Sequence, residues 1–508
     1  MSNVLPTAGN SPFAGTVINV MDHGAVGDGT AIDTASIQAA IDAAGDGGAI
    51  YFPTGTYLVN APLVPKTGQV YFSLGDKAII KADAAVEPFS VFKIQSGLVE
   101  FHRITLDLSK DPDLEPPDCA KPKEVPAAIV AVAAGGGTVE LVVASCRIRH
   151  SHGQGIRVRG SGDERHHDRV IIRDSFVEDC CESGITLGKV NGARVEACRF
   201  EGCRNGIVAD SCRDVVVSAV TVTKNRRHGI VFRFSYDWHV RDCVAKSNGG
   251  KEREQTKLRG WGIAAGGGPE RRTPNNGFTI TDNICEDNYV GGITLDPTIA
   301  DDPKTDEEDE SARILAQRAR IAGNVCRGRR GGSDMEGDSR FGAHGIHVRN
   351  SSNVVVTDNL CHDNHNSGIQ LVNCSHVLVQ ANACYDNENG IGLFSRTGLR
   401  DPEGPVGGLV VGVNMLYRNT QDFVHGPYGK DPRAFPRLRL DGLHGSVEPE
   451  CRLVANPGTL FEWHDERDQA GALYVKVRGS GTTGWVRVET QAEEPCLDLP
   501  PKLPINPT

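Results

Sequence analysis

A Gly-Ile step recurs through the middle of this chain, with isoleucine at 156, 185, 207, 230, 263, 293, 346, 369 and 391. Successive intervals are 29, 22, 23, 33, 30, 53, 23 and 22 residues, so the base period is about 22 and four coils carry insertions. Self-similarity at such a period marks a repeat architecture. Between the steps a second apolar stretch recurs: FTITDNICEDN at 278–288, RIAGNVCRG at 320–328, VVVTDNLCHDN at 354–364, VLVQANACYDN at 377–387 and LVVGVNMLYRN at 409–419. Each unit holds short alternating strands between polar turns, and none shows a 3.6-residue period, which excludes helical solenoids. A four-stranded propeller blade needs roughly 40–45 residues and does not fit. A parallel β-helix fits: each coil makes one turn, and each strand pairs with its equivalents above and below.

The register of the repeat explains two rows of polar or reactive residues. Cys285, Cys326, Cys361 and Cys384 occupy one aligned position, at coil spacings of 41, 35 and 23. They are expected to stack as small apolar groups in the core rather than to hold metal. Asn283, Asn324, Asn359, Asn382 and Asn414 align likewise and are expected to form a hydrogen-bonded ladder at a turn. The 15 cysteines contain no CxxC pair at zinc spacing, and no disulfide framework is expected.

A column has open ends that must be covered. Residues 34–44 supply a cover: Ile37, Ala40 and Ile41 make an apolar helical face, Asp33 or Thr34 can cap its N-terminus, and Gly45, Gly47 and Gly48 end it. This helix lies within 17–59, where GAVGDG (24–29), DT (33–34), IQAAIDAA (37–44) and YFPTGTYLV (51–59) resemble the N-terminal signature of the pectate-lyase-like superfamily. The resemblance implies an all-β chain: a single-stranded right-handed parallel β-helix, as in polygalacturonases, phage tailspikes and sugar epimerases. It implies a fold and no single reaction.

The column is read over 17–430, after an N-terminal arm at 1–16 and with a Pro-rich excursion at 111–126. A linker is expected at 431–450, a small β module at 451–490 and an extended tail at 491–508. The module resembles those at the ends of phage tail and surface polysaccharide-active proteins. A homotrimer is what the tailspike resemblance implies. The net charge of −11 disfavours a nucleic-acid partner, although local basic patches can still meet a polyanion. No apolar run reaches membrane-span length and no secretory signal pattern opens the chain, so a cytoplasmic, non-classically exported or virion-associated protein is expected.

The first and third residues after each Gly-Ile isoleucine should point outward. Arg233, Asp296, His347 and Arg349 then share one face within four consecutive coils. The insertions fall at 249–261, 266–276, 297–316 and 328–344, where long loops over a rigid scaffold concentrate function. They add Trp261, Glu270, Arg271, Asp338 and His344, while His228 precedes the fourth step and Asp237 and Trp238 follow it. Hydrolysis of a glycosidic bond needs two carboxylates, which Asp296 with Glu270, or with one of Asp334, Glu336 and Asp338, would supply. A uronate lyase needs a base and positive charge. Asp296 and Glu270 are therefore read as acid or base with His347 and His344 assisting. Arg233, Arg349, Arg271, His228, Asp338 and Asp237 are read as substrate-binding, and Trp261 and Trp238 as faces that stack on sugar. A lone outward arginine is ordinarily a solvated surface group, and Asp296 before Pro297 also suits a turn.

AHGIHVRN at 343–350 resembles the Gly-His-Gly region of polygalacturonases, with Ala343 in place of the first glycine. The Asn-Thr-Asp, Asp-Asp and Arg-Ile-Lys motifs of that family are absent, as are the pectate-lyase arginine motifs and the Asp-Pro-His of alginate epimerases. The resemblance therefore carries over no catalytic residue. No cofactor is expected. The acidic run at 301–310 reads as a solvated loop, with Ca2+ the ion its carboxylates would suit. The expected activity is cleavage or rearrangement of a polysaccharide or oligosaccharide in a lateral groove, with a lean to a glycoside hydrolase. A uronate lyase, a non-catalytic tailspike-like binder and a sugar epimerase are the alternatives.

Overall fold

The computed structural model describes residues 16–445 except 76, 96, 111–124, 134–136, 164–165, 251–259, 267–274, 296–315, 329–343, 373, 397–408, 429–437 and 441–442, together with 460–464, 471–476 and 485–488. The described chain winds into three parallel sheets. Fifteen described strands form the first sheet, from Val17–Asn19 to Leu438–Leu440, and twelve form the second, from Phe92–Ile94 to Gln421–Tyr428. The Gly-Ile strands make up the second sheet, with their isoleucines in register from Ile156 through Ile185, Ile207, Ile230, Ile263, Ile293, Ile346 and Ile369 to Ile391. The cysteine strands make up the third, with Cys285, Cys326, Cys361 and Cys384 adjacent and fully buried.

The glycine of each step is required by close packing. It sits at the corner where the chain leaves the third sheet, and its α-carbon faces the column interior directly before an inward isoleucine. A β-carbon on Gly345 would lie 3.0 Å from Cys361 Cβ and 2.5 Å from the Gly368 carbonyl; one on Gly368 would lie 3.0 Å from Cys384 Cβ. Two consecutive residues thus face inward, which breaks the alternation and turns the residue before the glycine outward. This decides where the site's side chains point.

The corners are held by amide ladders. Asn283, Asn324, Asn359 and Asn382 each donate from Nδ2 to the Oδ1 of the next asparagine, ending at Asn414, at 2.9 Å, and that oxygen also accepts the backbone N–H of the donor residue. A further ladder runs at the entry to the second sheet, through Asn225, Asn248 and Asn288 and through Asn364, Asn387 and Asn419. These buried amides are satisfied coil to coil, which removes the cost of burying them. Single left-handed residues such as Asp242, Asp282 and Asp358 make the bends.

The helix Thr34–Ala44 buries Ile37, Ala40 and Ile41 in the main core. Gln69 Nε2 donates to the carbonyls of Ile41 and Gly45, satisfying groups that a helix end leaves open. The expected side-chain cap is not made. Asp33 is buried and accepts the backbone N–H groups of Val26 and Gly27 at 2.6 and 3.1 Å instead. The carboxylate therefore fastens the GAVGDG turn. Eleven described cysteines carry free thiols, while Cys181 is disulfide-bonded.

Strand Leu443–Gly445 continues the third sheet within the interval read as a linker. Leu460–His464 pairs with it in parallel, and Gly471–Lys476 and Trp485–Val488 then add antiparallel. No described helix is long and apolar enough to cross a membrane.

Candidate functional site

The outer face of the second sheet carries the candidate site, on the adjacent strands Ile230–Arg233, Trp261–Gly266, Gly291–Leu295 and His344–Arg349. Ile346 and Val348 are wholly buried in the main core, so His347 between them faces outward. The corner glycines turn Trp261 and His344 to the same side. Trp261 packs in a separate outer cluster with Val208, Val231, Ala264 and Val290.

Three rings cluster on this face, two of them from one strand. The His344 and His347 centroids are 5.2 Å apart with planes 18° from parallel. Trp261 lies 6.5 Å from His344 and 5.9 Å from His347, nearly parallel to both. The indole crosses the intervening coil over Gly291, where a β-carbon would meet Cζ3 at 2.4 Å. Thr294 completes the centre, with Oγ1 3.3 Å from His347 Nδ1.

Although they point away from the column, these groups are shielded: Trp261 is 8%, His344 3% and His347 9% exposed. Burial, and then the neighbouring His347, hold the His344 pKa well below the ordinary histidine value. The ring is therefore neutral at physiological pH. Its Nδ1 is buried without a hydrogen-bond partner among the described residues, and a buried polar atom in this state costs stability, so its retention calls for an explanation such as a catalytic role.

The arginines stand at the edge of the same face. Arg349 ends its strand two residues beyond His347 and is buried. Arg233 ends the strand three coils away, in register with Asp210 on one side and Gly266 on the other. At about 4.8 Å per coil the two lie roughly 14 Å apart, too far to hold one carboxylate together. His228 is buried next to Trp261, whose backbone N–H donates to its Nδ1 at 3.2 Å.

Two expectations fail. Trp238 is wholly buried in the core, stacked between Phe232 and Phe278, and offers no face to a sugar. Asp237 is exposed on the first sheet, 3.3 Å from Arg213, and shares no face with His347. The left-handed Phe234 turns the chain before both residues, so proximity in sequence to Arg233 does not bring them to its face. Asp296, Glu270, Arg271 and Asp338 lie outside the described residues, as does the run 301–310. Thr294 and Gly291 were not singled out from the sequence, although Thr294 sits in the same outward row as His347.

The model of the right-handed β-helix region matches residues 128–298 and 312–401, a little over half of the chain. The chain belongs to the right-handed β-helix family. A rhamnogalacturonase A/epimerase, pectate-lyase-like model matches 17–106, which holds the helix and first coils. The chain is 56% identical over 52 residues to the mannuronan C5-epimerase AlgE4 of Azotobacter vinelandii, covering 10% of this chain and 9% of that protein. It is 46% identical over 71 residues to plasmin and fibronectin-binding protein A of Streptococcus pneumoniae, covering 13% of this chain and 10% of that one. The chain thus spans a tenth or less of the length of these curated relatives. Among solved structures, the Dettilon tailspike protein aligns over 90% of this chain and 76% of its own at 15% identity and a TM-score of 0.51, a likeness of fold.

Proposed function

We propose that this β-helix is a polysaccharide-modifying enzyme that removes the proton α to the carboxylate of a uronic acid unit. That step begins both C5 epimerisation and β-elimination. The observation that carries this reading is His344: a neutral, buried imidazole with an unpartnered Nδ1, stacked on His347 at an outward face edged by arginine.

Proton abstraction at carbon needs a base in its neutral form and positive charge where the carbanion develops. Burial keeps His344 unprotonated and ready to accept. A uronate carboxylate brought beside it would raise its proton affinity, since an opposite charge favours the imidazolium. Arg349 on the same strand is suited to pair with that carboxylate, and Thr294 fixes the orientation of His347 through Nδ1. The local identity to mannuronan C5-epimerases is in keeping with this chemistry. The pair of carboxylates needed for hydrolysis would come from Asp296 with Glu270 or with one of Asp334, Glu336 and Asp338, and His344 carries the present reading instead.

The test is incubation with polymannuronate, polygalacturonate and neutral polysaccharides. Inversion at C5, or the ultraviolet absorbance of an unsaturated uronate, is expected on uronate polymers alone. New reducing ends without either signal would overturn the reading in favour of hydrolysis, and binding without any product would overturn it in favour of a non-catalytic role.

A further inference from the structure

The position of Trp261 is fixed from two directions. On one side its indole lies over Gly291, where the adjacent coil presents no side chain to displace it. On the other, its backbone N–H donates to Nδ1 of His228, a residue from the preceding coil that is only 4% exposed. A nitrogen that accepts carries no proton, so this contact assigns the His228 hydrogen to Nε2. His228 is itself anchored, its own backbone N–H donating to Asn205 Oδ1 at 3.2 Å. The chain of contacts runs from Asn205 through His228 to Trp261, and from Trp261 to the two imidazoles.

We infer that His228 is a positioning residue: through Nδ1 it holds the start of strand Trp261–Gly266 so that the indole lies flat across Gly291 and shields His344 and His347. The sequence alone suggested that His228 touches substrate. The geometry gives it a different task, in which it acts on the imidazole pair only through Trp261. The catalytic consequence rests on the proposed function, whereas the placement of Trp261 can be measured without any sugar.

Asparagine supplies the discriminating variant, because its Oδ1 can occupy the place of the imidazole Nδ1 and accept the same N–H, whereas leucine fills the space and cannot. Trp261 emission is read as the difference between each protein and its Trp261→Phe counterpart, which removes the other tryptophans. His228→Leu is expected to shift this difference emission to longer wavelength, as the indole leaves its shielded seat, and to lower kcat roughly tenfold to a hundredfold through misplacement. His228→Asn is expected to restore both. Folded His228→Leu protein with unchanged emission would overturn the inference. If that variant does not fold, the wild type still decides: its Trp261 amide should exchange slowly with deuterium, and exchange at the rate of an unprotected amide would overturn the inference. A shifted emission in a protein that turns over no uronate polymer would leave the positioning role standing and overturn the proposed function instead.

Discussion

Two tryptophans sit in three-ring groups on the same column, and they do opposite work. Trp238 lies between Phe232 and Phe278 at centroid distances of 4.0 and 4.2 Å, entirely inside. Trp261 lies beside His344 and His347 at 5.9–6.5 Å, on the outside of the second sheet. Both stacks contain a buried nitrogen without a partner among the described residues, Nε1 of Trp238 and Nδ1 of His344. In the inner stack the apolar contact on both ring faces offsets that loss, and the nitrogen has nothing to do. In the outer stack the neighbours are imidazoles at an edge lined with arginine, and the same unsatisfied state leaves a proton acceptor in reserve. Ring clusters thus form both inside and outside the column, and the side of the sheet decides whether a cluster serves stability or chemistry.

The comparison can be broken by substitution. Trp238→Ala should destabilise the fold by about 3–5 kcal/mol, the cost of emptying a large core site. It would be read as a lowered denaturant midpoint, and a loss below about 1 kcal/mol would contradict the inner stack. The outer stack should reveal itself through pH. The His344 pKa is lowered in the folded state, so the unfolded chain binds the extra proton first. Stability should be fully present above the ordinary histidine pKa of about 6.5 and fall as pH drops below it. His344→Phe should flatten that slope in denaturation curves taken across this window, and an unchanged slope would show that His344 does not carry it.

Smaller effects sharpen the boundary between frame and site. Asn324→Ala removes the oxygen that accepts from Asn283 and the amide that donates to Asn359 Oδ1, and should cost about 1–3 kcal/mol in thermal or chemical denaturation. Asp237→Asn keeps a side chain that tolerates the left-handed backbone at this position and breaks only an exposed pair with Arg213, more than 40% exposed on both sides, so it should change stability by less than about 0.5 kcal/mol while leaving turnover intact. Loss of turnover in Asp237→Asn would return that residue to the site.

The column was legible in the sequence because its packing rule is severe. Only glycine fits the corner where a β-carbon would meet Cys361 or the Gly368 carbonyl, so the Gly-Ile step had to recur. The first asparagine ladder was legible for the same reason, and the second, through Asn364, Asn387 and Asn419, closes the same repeated segments. The signature near the N-terminus spoke of the frame alone: Asp33 ties its own turn, and Gly27 leaves room for the Tyr57 ring, which a β-carbon would meet at 2.9 Å. The site was legible only in part. Alternation placed His347, Arg349 and Arg233 outward, but a rule of period two cannot foresee the corner that turns Trp261 and His344 to the same side, nor the bend at Phe234 that takes Trp238 into the core. Gly291 matters through the side chain it lacks, and a missing side chain has no chemical signal in a sequence.

The most direct test of the central claim is solvent deuterium incorporation at C5 of a uronate polymer in heavy water, comparing wild type with His344→Gln. The account predicts incorporation by the wild type and a loss of roughly 100-fold or more in the variant, with the fold intact by circular dichroism. Incorporation at the wild-type rate by folded His344→Gln would contradict it.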